Sequence, residues 1–364
     1  MLAAGGTGGH LFPAFALAQE LGRRSIPVDL VTDTRGDRYG GDFPARAVYR
    51  VPSATLAGRS IVKAGNAVWM LMRGIRAAHK LLGEVKPAAV VGFGGHPAFP
   101  PLVAARLRGI PTALHEQNAV LGRANRMLAK RVTTIATSFE HTRFLTGQAL
   151  ARTRVTGNPV RDQVIDWATQ SYTPPHPVGP FSILVFGGSQ GARFFADIMP
   201  PALALLPESI REQLFVVQQC RPEDLKKVEA AYQARGVRAH LASFFNNLPE
   251  EMARAHLVIG RSGASTVAEL TVMGRPAILV PLPHAIDNDQ LQNALELAES
   301  GGAWCIEQKD LTVERLGGAI TQLLTSPGAL TEAAGAAKRL GRPDAVERLA
   351  DLVEELMGRS RKSA

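Results

Sequence analysis

Two glycine-rich turns, placed half a chain apart, constrain the fold of this 364-residue sequence more than any other feature. The first is Gly5-Gly6-Thr7-Gly8-Gly9-His10, and the second is Gly187-Gly188-Ser189-Gln190-Gly191-Ala192. Each follows a short apolar stretch and precedes a helical pattern, over residues 11–21 and 194–206. A strand, a glycine-rich turn and a helix bring backbone N–H groups to an anion. The repeat therefore predicts two similar α/β domains at a shared cleft, suited to a nucleotide-linked donor and an acceptor.

Both halves of the chain alternate short apolar runs with amphipathic helical patterns. Strands that alternate with helices pair in parallel through right-handed crossovers, which favours an α/β fold. The predicted strands are Val28–Thr32, Ala88–Gly92, Pro111–His115, Arg131–Ala136, Phe181–Phe186, Leu214–Gln218, His256–Gly260 and Pro276–Val280.

Four prolines between Thr173 and Pro180 mark the clearest domain boundary. We therefore predict an N-terminal domain over residues 1–168, a linker over 169–180 and a C-terminal domain over 181–340. Residues 341–364 contain an apolar helical face, which predicts a closing helix followed by a basic tail.

The composition is that of a soluble globular chain, with 46% hydrophobic and 20% charged residues. The two cysteines have no CxxC spacing, which favours a reducing compartment over a disulfide framework. No stretch reaches the ~18–20 apolar residues that cross a bilayer, and we expect no signal peptide.

Positive charge is concentrated in the first half of the chain. Residues 1–165 carry 22 Lys and Arg against 9 Asp and Glu, whereas residues 166–364 carry 19 against 23. A basic half favours nucleic acid, an anionic membrane or a polyphosphate ligand, and the alternative is a solvated surface. Residues 61–82 place Trp69 and aliphatic side chains among cations, as in a helix at a lipid interface or a plain core helix. Together these features favour the membrane.

The first glycine-rich turn departs from known nucleotide-binding signatures. It lacks the third glycine of GxGxxG, although Asp33 ends the next predicted strand, where a dehydrogenase would bind ribose. No P-loop sequence occurs either. His10 would project from the first helical turn, as a reacting group or as the partner in a helix-start hydrogen bond.

The segment 261–269, RSGASTVAE, follows a predicted strand and begins a helix. Its small residues allow a pyrophosphate to approach the helix N-terminus, with Ser265 and Thr266 as further donors. Glu269 lies ~9 Å beyond Gly263 along such a helix, about the reach from a pyrophosphate to ribose hydroxyls. The alternative is a surface glutamate that favours the first half of a helix.

A second polar segment follows, at Asp287-Asn288-Asp289. It matches the DxD signature of metal-dependent sugar transferases, but Asp also favours helix starts, and we predict no metal site. The amides of Gln290 and Asn293 are suited to sugar hydroxyls.

Four polar residues, His115-Glu116-Gln117-Asn118, end a predicted strand in the basic half. Acid/base and amide groups at the carboxyl end of a strand suit a substrate site in an open α/β sheet. Arg161 ends the segment TGNPVR and is placed to reach the same cleft. Each of these residues also has an ordinary explanation in a turn or a helix cap.

Seven segments, taken together and in order, resemble the MurG family of bacterial cell-wall N-acetylglucosaminyltransferases. They are GGTGGH, GFGGHP, HEQN, TGNPVR, FGGSQGAR, RSGASTVAEL and PLPH with DQLQNA, within residues 5–294. The resemblance implies a GT-B glycosyltransferase fold, in which two Rossmann-like domains with parallel sheets face a central cleft. It also implies an acceptor on the N-terminal domain and UDP-N-acetylglucosamine mainly on the C-terminal domain, with no metal or other cofactor.

The resemblance assigns roles to the matching positions. Thr7, Gly8 and Gly9 would line the cleft near the donor and acceptor phosphates. Glu269 would hold the ribose, in agreement with its distance along the helix, and the backbone of Phe245 would contact uracil. The other implied donor contacts are Asn118, Arg161, Ser189, Ala264, Ser265, Thr266, Val267, Ala268 and Gln290.

The implied reaction is inverting transfer to the C4 hydroxyl of undecaprenyl-pyrophosphoryl-N-acetylmuramoyl-pentapeptide (lipid I), giving lipid II. Helix N-termini would stabilise the charge that develops on the leaving pyrophosphate. A general base should take the hydroxyl proton, with His10 as the first candidate and Glu116 as the second.

The expected partners are the UDP-N-acetylglucosamine donor, the lipid-linked acceptor, the anionic inner-membrane surface, and cell-wall and division proteins, with no nucleic acid. The resemblance implies a peripheral enzyme of peptidoglycan synthesis at the cytoplasmic face of the bacterial inner membrane. Two alternatives remain open. A related UDP-sugar enzyme such as an epimerase would consume donor without acceptor, and a nucleotide-sugar or lipid-binding protein would bind UDP without turnover.

Overall fold

The computed structural model describes residues 1–5, 8–33, 43–54, 61–176 and 179–362. The chain divides into two compact units, Met1–Arg161 with Pro343–Ala364, and Asp162–Arg342. The division falls before residue 168, where we expected the first domain to end, because the helix at 162–168 packs against helices of the second unit.

The first unit is built around a parallel sheet. Its described strands form the order β3-β2-β1-β4-β5-β6-β7, so the chain moves outward from β1 and then returns to its other side. Ligands bind open α/β sheets at the carboxyl ends of the strands beside such a switch point. The strands are β1 (Leu2–Ala3), β2 (Asp29–Thr32), β3 (Ala47–Arg50), β4 (Val90–Gly92), β5 (Thr112–Glu116), β6 (Thr134–Thr137) and β7 (Thr153–Val155).

Helices follow several of these strands and cover the sheet. They are α1 (Gly8–Arg23), α2 (Ile61–Val85), α3 (Gly95–Leu107) and α4 (Arg123–Ala129). The helical spacing of Leu11, Leu17 and Leu21 places all three on one face of α1, where they join the core around β1 and β2.

The second unit repeats this arrangement, as the paired turns predict. Among its described residues, the parallel strands have the order β10-β9-β8-β11-β12-β13, again with a switch point beside the first strand. They are β8 (Phe181–Phe186), β9 (Leu214–Gln219), β10 (Arg238–Ala242), β11 (Leu257–Gly260), β12 (Ala277–Leu279) and β13 (Ala303–Cys305). The helices are α5 (Asp162–Ala168), α6 (Gly188–Ala204), α7 (Glu208–Arg211), α8 (Leu225–Gln233), α9 (Leu248–Arg254), α10 (Ala264–Met273), α11 (Asp289–Glu299), α12 (Val313–Leu324) and α13 (Pro327–Leu340).

The last helix, α14 (Ala345–Lys362), belongs to the first unit and packs on α1. Its apolar face, Leu349, Leu352, Val353 and Leu356, is buried in the same core cluster as α1. Arg24 of α1 adds ion pairs to Asp351 and Glu354 at the rim of this contact. α14 thus lies within residues 341–364, where we predict a closing helix.

Candidate active site

A glycine turn allows His10 to lie against the first sheet. Gly8, Gly9 and His10 form the first turn of α1, and Thr7 lies outside the described residues. At the start of α3, Gly94 and Gly95 have φ of +85° and +68°. A Cβ on Gly95 would lie 3.3 Å from Cδ2 of His10, and any side chain would be strained in this left-handed backbone. The turn thus provides both the bend and the space for the imidazole ring.

A series of hydrogen bonds connects His10 to the core of the first unit. His10 Nδ1 lies 3.1 Å from Gln117 Oε1, and Gln117 Nε2 lies 3.0 Å from His115 Nδ1. His115 Nε2 in turn lies 3.0 Å from the carbonyl oxygen of Gly157. The His115 ring is buried against Phe93, with 5.5 Å between ring centroids. We call His10, Gln117 and His115 the histidine relay.

Burial lowers the pKa of His115 to about 4, against the opposing effect of its hydrogen bond to Gly157. An unfolded histidine has a pKa near 6.5, so below that pH the unfolded chain binds a proton that the folded chain does not. The stability that depends on neutral His115 is therefore present above about pH 6.5 and lost as the pH falls towards 4. We expect the first unit to lose roughly 3 kcal/mol of unfolding free energy over this range through His115.

Urea unfolding of wild type and His115→Phe between pH 7.5 and 4 would measure this contribution. Phenylalanine keeps a ring against Phe93 but does not titrate. The unfolding free energy of the variant should fall less steeply with pH, and parallel curves would contradict the expectation.

Glu116 holds the loop that follows β5. The side chain is 1% exposed, and each carboxylate oxygen accepts two hydrogen bonds. Oε1 accepts from the backbone N–H and the side-chain amide of Asn118, at 3.1 and 3.2 Å. Oε2 accepts from the N–H of Gly122 at 2.9 Å and from Asn125 Nδ2 at 2.7 Å. Four donors on one buried carboxylate favour a structural role over the predicted role as general base.

Arg161 and Asn158 lie beyond β7, at the same edge of the sheet. The guanidinium carbon of Arg161 lies 5.0 Å from the centroid of Phe12, which places Arg161 beside α1. Asn158 is buried, and among the described residues neither atom of its side-chain amide has a hydrogen-bond partner. Since buried amides are normally paired, Asn158 indicates a polar ligand or water at this edge. The sequence indicated Arg161 but gave no reason to single out Asn158.

The second unit presents the N-terminus of α10 at the end of β11. Gly263 caps this helix in extended backbone and gives no side-chain cap to its first N–H groups. The hydroxyl oxygen of Ser265 in the first turn is buried, and it has no partner among the residues described. Uncapped N–H groups and a hydroxyl are a ready site for an anion. Glu269 lies further along the same helix and is buried, and the predicted Ala264, Thr266, Val267 and Ala268 also belong to α10.

Gln290 and Asn293 of α11 fix the segment just before α10. Gln290 Oε1 accepts from the N–H of Leu282 at 3.0 Å, and the backbone oxygen of Gln290 accepts from the Ser262 hydroxyl at 2.7 Å. Asn293 Nδ2 donates to the carbonyl of Ser262 at 3.2 Å. Because Oε1 of Gln290 is used in this way, a ligand contact by its side chain would come from Nε2.

Gln219 links the second glycine-rich turn to the segment that precedes Phe245. Its Oε1 accepts from the N–H of Gly188 at 3.1 Å, and its Nε2 donates to the carbonyl of Ser243 at 3.3 Å. Ser189 lies in the first turn of α6, and Phe245 is buried. The structure thus brings Ser189 and Phe245 to the same edge of the second sheet.

The side chain of Arg261 holds the carboxyl ends of β11 and β12 in place. Arg261 was not among the predicted site residues. It is buried, it donates to the carbonyls of Val280 and Pro281, and its guanidinium lies 5.2 Å from the rings of Phe194 and Phe195. These contacts tie the ends of β11 and β12 to α6. Its position in the segment RSGAS could have indicated a role at the site. The sequence does not show that its side chain is buried.

Two matching α/β units, each with polar groups at its switch point, define a two-domain α/β protein whose second unit is suited to an anionic ligand. Residues 1–137 match the glycosyltransferase family 28 N-terminal domain, and residues 182–349 match the glycosyltransferase family 28 C-terminal domain. A UDP-N-acetylglucosamine--N-acetylmuramyl-(pentapeptide) pyrophosphoryl-undecaprenol N-acetylglucosamine transferase of Sinorhizobium fredii is 52% identical over 98% of this chain and 94% of that protein.

The comparison with solved structures leads to the same family. The crystal structure of Acinetobacter baumannii MurG is 31% identical, with a TM-score of 0.78 over 98% of both chains. The chain therefore belongs to glycosyltransferase family 28 and, within it, to the MurG family, which confirms the GT-B fold. A UDP-GlcNAc 2-epimerase from Neisseria meningitidis, solved with UDP-GlcNAc, is 14% identical with a TM-score of 0.66 over 97% of this chain and 99% of that one. That likeness shows a shared fold alone.

Proposed function

We propose that this protein transfers N-acetylglucosamine from UDP-N-acetylglucosamine to the C4 hydroxyl of lipid I, giving lipid II for peptidoglycan synthesis. The observation that carries the proposal is its 52% identity, over 98% of the chain, to a relative named for that transfer. The two switch points support it, since one presents an anion site and the other an imidazole.

The donor site is assigned to the second unit. The pyrophosphate would accept from the first N–H groups of α10 and from the buried hydroxyl of Ser265. Glu269, on the same helix, would accept from the ribose hydroxyls, and Nε2 of Gln290 would donate to the sugar. These groups stabilise the negative charge on UDP as it leaves, because the helix N-terminus and hydroxyl are already oriented.

Glu269→Gln tests the ribose contact. A glutamine keeps the shape but removes the charge from hydrogen bonds that are worth about 1.5–3 kcal/mol each to a charged group. We expect KM for UDP-N-acetylglucosamine to rise about 10- to 100-fold with a smaller change in kcat. Glu299→Gln, at the end of α11, is the matched control. An unchanged KM in Glu269→Gln would remove the ribose role.

The acceptor reacts at the first unit, where His10 is the proposed general base. Its imidazole would take the proton of the C4 hydroxyl as the oxygen attacks the anomeric carbon, and the bond to UDP would break with its electron pair on the β-phosphate oxygen. Glu116 is the less suitable base, because four hydrogen bonds already occupy its carboxylate.

We assign membrane attachment to the solvent-exposed side of α2. Its exposed apolar side chains are Val68, Trp69, Met70 and Met72, and Trp69 is 61% exposed. The guanidinium of Arg73 lies 5.5 Å from the Trp69 ring centroid, and Arg76 and Lys80 are exposed further along the helix.

No helix in the described part of the chain is long and apolar enough to cross a bilayer. Aromatic and cationic groups on the exposed side of a helix suit the cytoplasmic surface of an anionic inner membrane. Cell-wall and division proteins would meet the enzyme there.

Flotation with vesicles tests this surface. Trp69→Ala should reduce the fraction bound to anionic vesicles about tenfold, because it removes the largest apolar group of this surface. Leu205→Ala, a change to an exposed apolar residue of the second unit, should leave binding unchanged. If the bound fraction changes neither with Trp69→Ala nor with the anionic lipid content, the assignment is overturned.

The function itself is tested by transfer of labelled N-acetylglucosamine to a short-chain analogue of lipid I, with EDTA present. Disaccharide product supports the proposal and shows that transfer needs no metal. Donor consumed without acceptor would indicate an epimerase, and UDP binding without turnover would indicate a binding protein.

A further inference from the structure

In each hydrogen bond of the histidine relay, the chemistry of the partners decides which atom donates and which accepts. The carbonyl oxygen of Gly157 can only accept, so Nε2 of His115 must carry a proton and donate to it. Burial lowers the pKa of His115 to about 4, so the ring is neutral and its Nδ1 is an acceptor. The partner of Nδ1 at 3.0 Å must then be a donor, which is the amide nitrogen of Gln117.

The same reasoning continues to His10. With Nε2 of Gln117 facing His115, its Oε1 faces His10 Nδ1 at 3.1 Å and can only accept. His10 Nδ1 must therefore be protonated. In a neutral imidazole the other nitrogen, Nε2, then holds the lone pair.

We infer that Gln117 and His115 are positioning residues that hold His10 in its Nδ1–H tautomer, so that Nε2 of His10 is always the nitrogen that takes the acceptor proton. The inference rests on the proposed function, in which His10 is the general base. Gln117 and His115 touch neither substrate in this scheme, and they act through His10.

A turned Gln117 amide would reverse the tautomer, and two contacts prevent this. The turn would place Oε1 against the lone pair of His115 Nδ1. It would also place Oε1 against the carbonyl oxygen of His115, to which Nε2 now donates at 3.2 Å. Oε1 would then face two other acceptor atoms in a buried site, where unpaired polar atoms lower the stability of the fold. The Gly157 carbonyl thus fixes, through two side chains, which His10 nitrogen is free.

The relay also suits the charged state of His10. When the O–H bond of the acceptor breaks and its proton moves to Nε2, His10 becomes an imidazolium with N–H groups at both positions. Nδ1–H keeps the same bond to Gln117 Oε1, so no neighbouring group must turn. A base whose surroundings fit both protonation states loses nothing to rearrangement during the reaction.

The tautomer can be read directly by nitrogen NMR of protein labelled with ¹⁵N-histidine. The chain has 9 histidines, and the spectrum of His10→Gln would assign the signals of His10. In the neutral wild-type ring, we expect the Nδ1 signal in the protonated range and the Nε2 signal in the unprotonated range. Gln117→Met, which removes the acceptor, should convert His10 to a mixture or to the Nε2–H form.

Steady-state transfer assays on the same proteins give the second measurement. Gln117→Met should lower kcat about 10- to 100-fold and leave KM for UDP-N-acetylglucosamine within about twofold. Gln117→Glu keeps an acceptor opposite His10 and should retain its Nδ1–H tautomer, but its second oxygen would face the lone pair of His115 Nδ1, so it should recover only part of kcat. Gln218→Met removes another buried glutamine, in the second unit, and should change neither the tautomer nor kcat. Should Gln117→Met not fold, His115→Phe gives a second test, because it leaves the Gln117 amide held only by the backbone carbonyl at position 115, and His10 should then shift partly towards the Nε2–H form.

A wild-type His10 in the Nε2–H form would overturn the inference, as would a kcat that does not change when Gln117→Met alters the tautomer. Failure of the proposed function looks different. Wild-type protein would then form no disaccharide although its NMR signals showed the Nδ1–H tautomer, and the role of Nε2 as a base would be lost with the reaction.

Discussion

His10→Ala should lower kcat for transfer about 10²- to 10⁴-fold, the range that proton transfer by a positioned side chain contributes. KM for UDP-N-acetylglucosamine should change little, because the proposed donor contacts lie on α10 and α11 of the second unit. Turnover with the short-chain acceptor, measured at saturating donor, is the direct assay.

His141→Ala is the matched control for this change, since His141 is an exposed histidine of the same unit. It should behave as wild type. A His10→Ala enzyme that retains kcat within a few-fold would remove His10 from the role of base, and the base would then have to be sought elsewhere.

Removal of residues 345–364 should unfold the first unit. The deletion takes Leu349, Leu352, Val353 and Leu356 out of the core that α14 shares with α1. Burial of four such side chains contributes about 6 to 12 kcal/mol, an upper estimate that is comparable with the whole stability of a domain. Hydrogen exchange should show lost protection for amides of β1–β7 and retained protection for β8–β13.

A milder variant keeps this prediction testable if the shortened chain aggregates. Leu349 is 0% exposed and Leu150 of the same unit is 54% exposed. Leu349→Ala should cost about 2–5 kcal/mol of unfolding free energy, and Leu150→Ala less than about 0.5 kcal/mol. Equal stability of the two variants would show that α14 does not complete the core.

The strands that the sequence predicts are those in the interior of each sheet. Apolar runs such as Phe181–Phe186 are buried on both faces, which is why composition alone reveals them. The runs missed were β3, β7, β10 and β13, which are the edge strands of the two sheets. β10, with the sequence RAHLA, is mostly exposed and needs no apolar run. An edge strand is defined by its neighbour, and the neighbour is not visible in a local pattern.

The parts of the site that depend on backbone conformation could be predicted from the sequence. The parts that depend on contacts between distant side chains could not. The turn GGTGGH indicated the position of His10, and the small residues of RSGAS indicated the start of α10, because small residues let an anion approach the N–H groups at a helix N-terminus. The histidine relay, in contrast, joins residues 107 positions apart, and its direction depends on one backbone carbonyl. Glu116 illustrates the same limit, since a reacting carboxylate and a loop-holding carboxylate have the same chemistry in a sequence.

The return of α14 to the first unit has a consequence for synthesis of the protein. A ribosome must add residue 356 before the core around α1 can close, whereas residues 162–342 of the second unit have all been added by then. Domains generally fold as units while the chain grows. We therefore expect the second unit to complete its fold first, although it is encoded second. Until α14 arrives, the nascent first unit exposes an unfilled apolar surface, and the helix that carries His10 has no partner on that side.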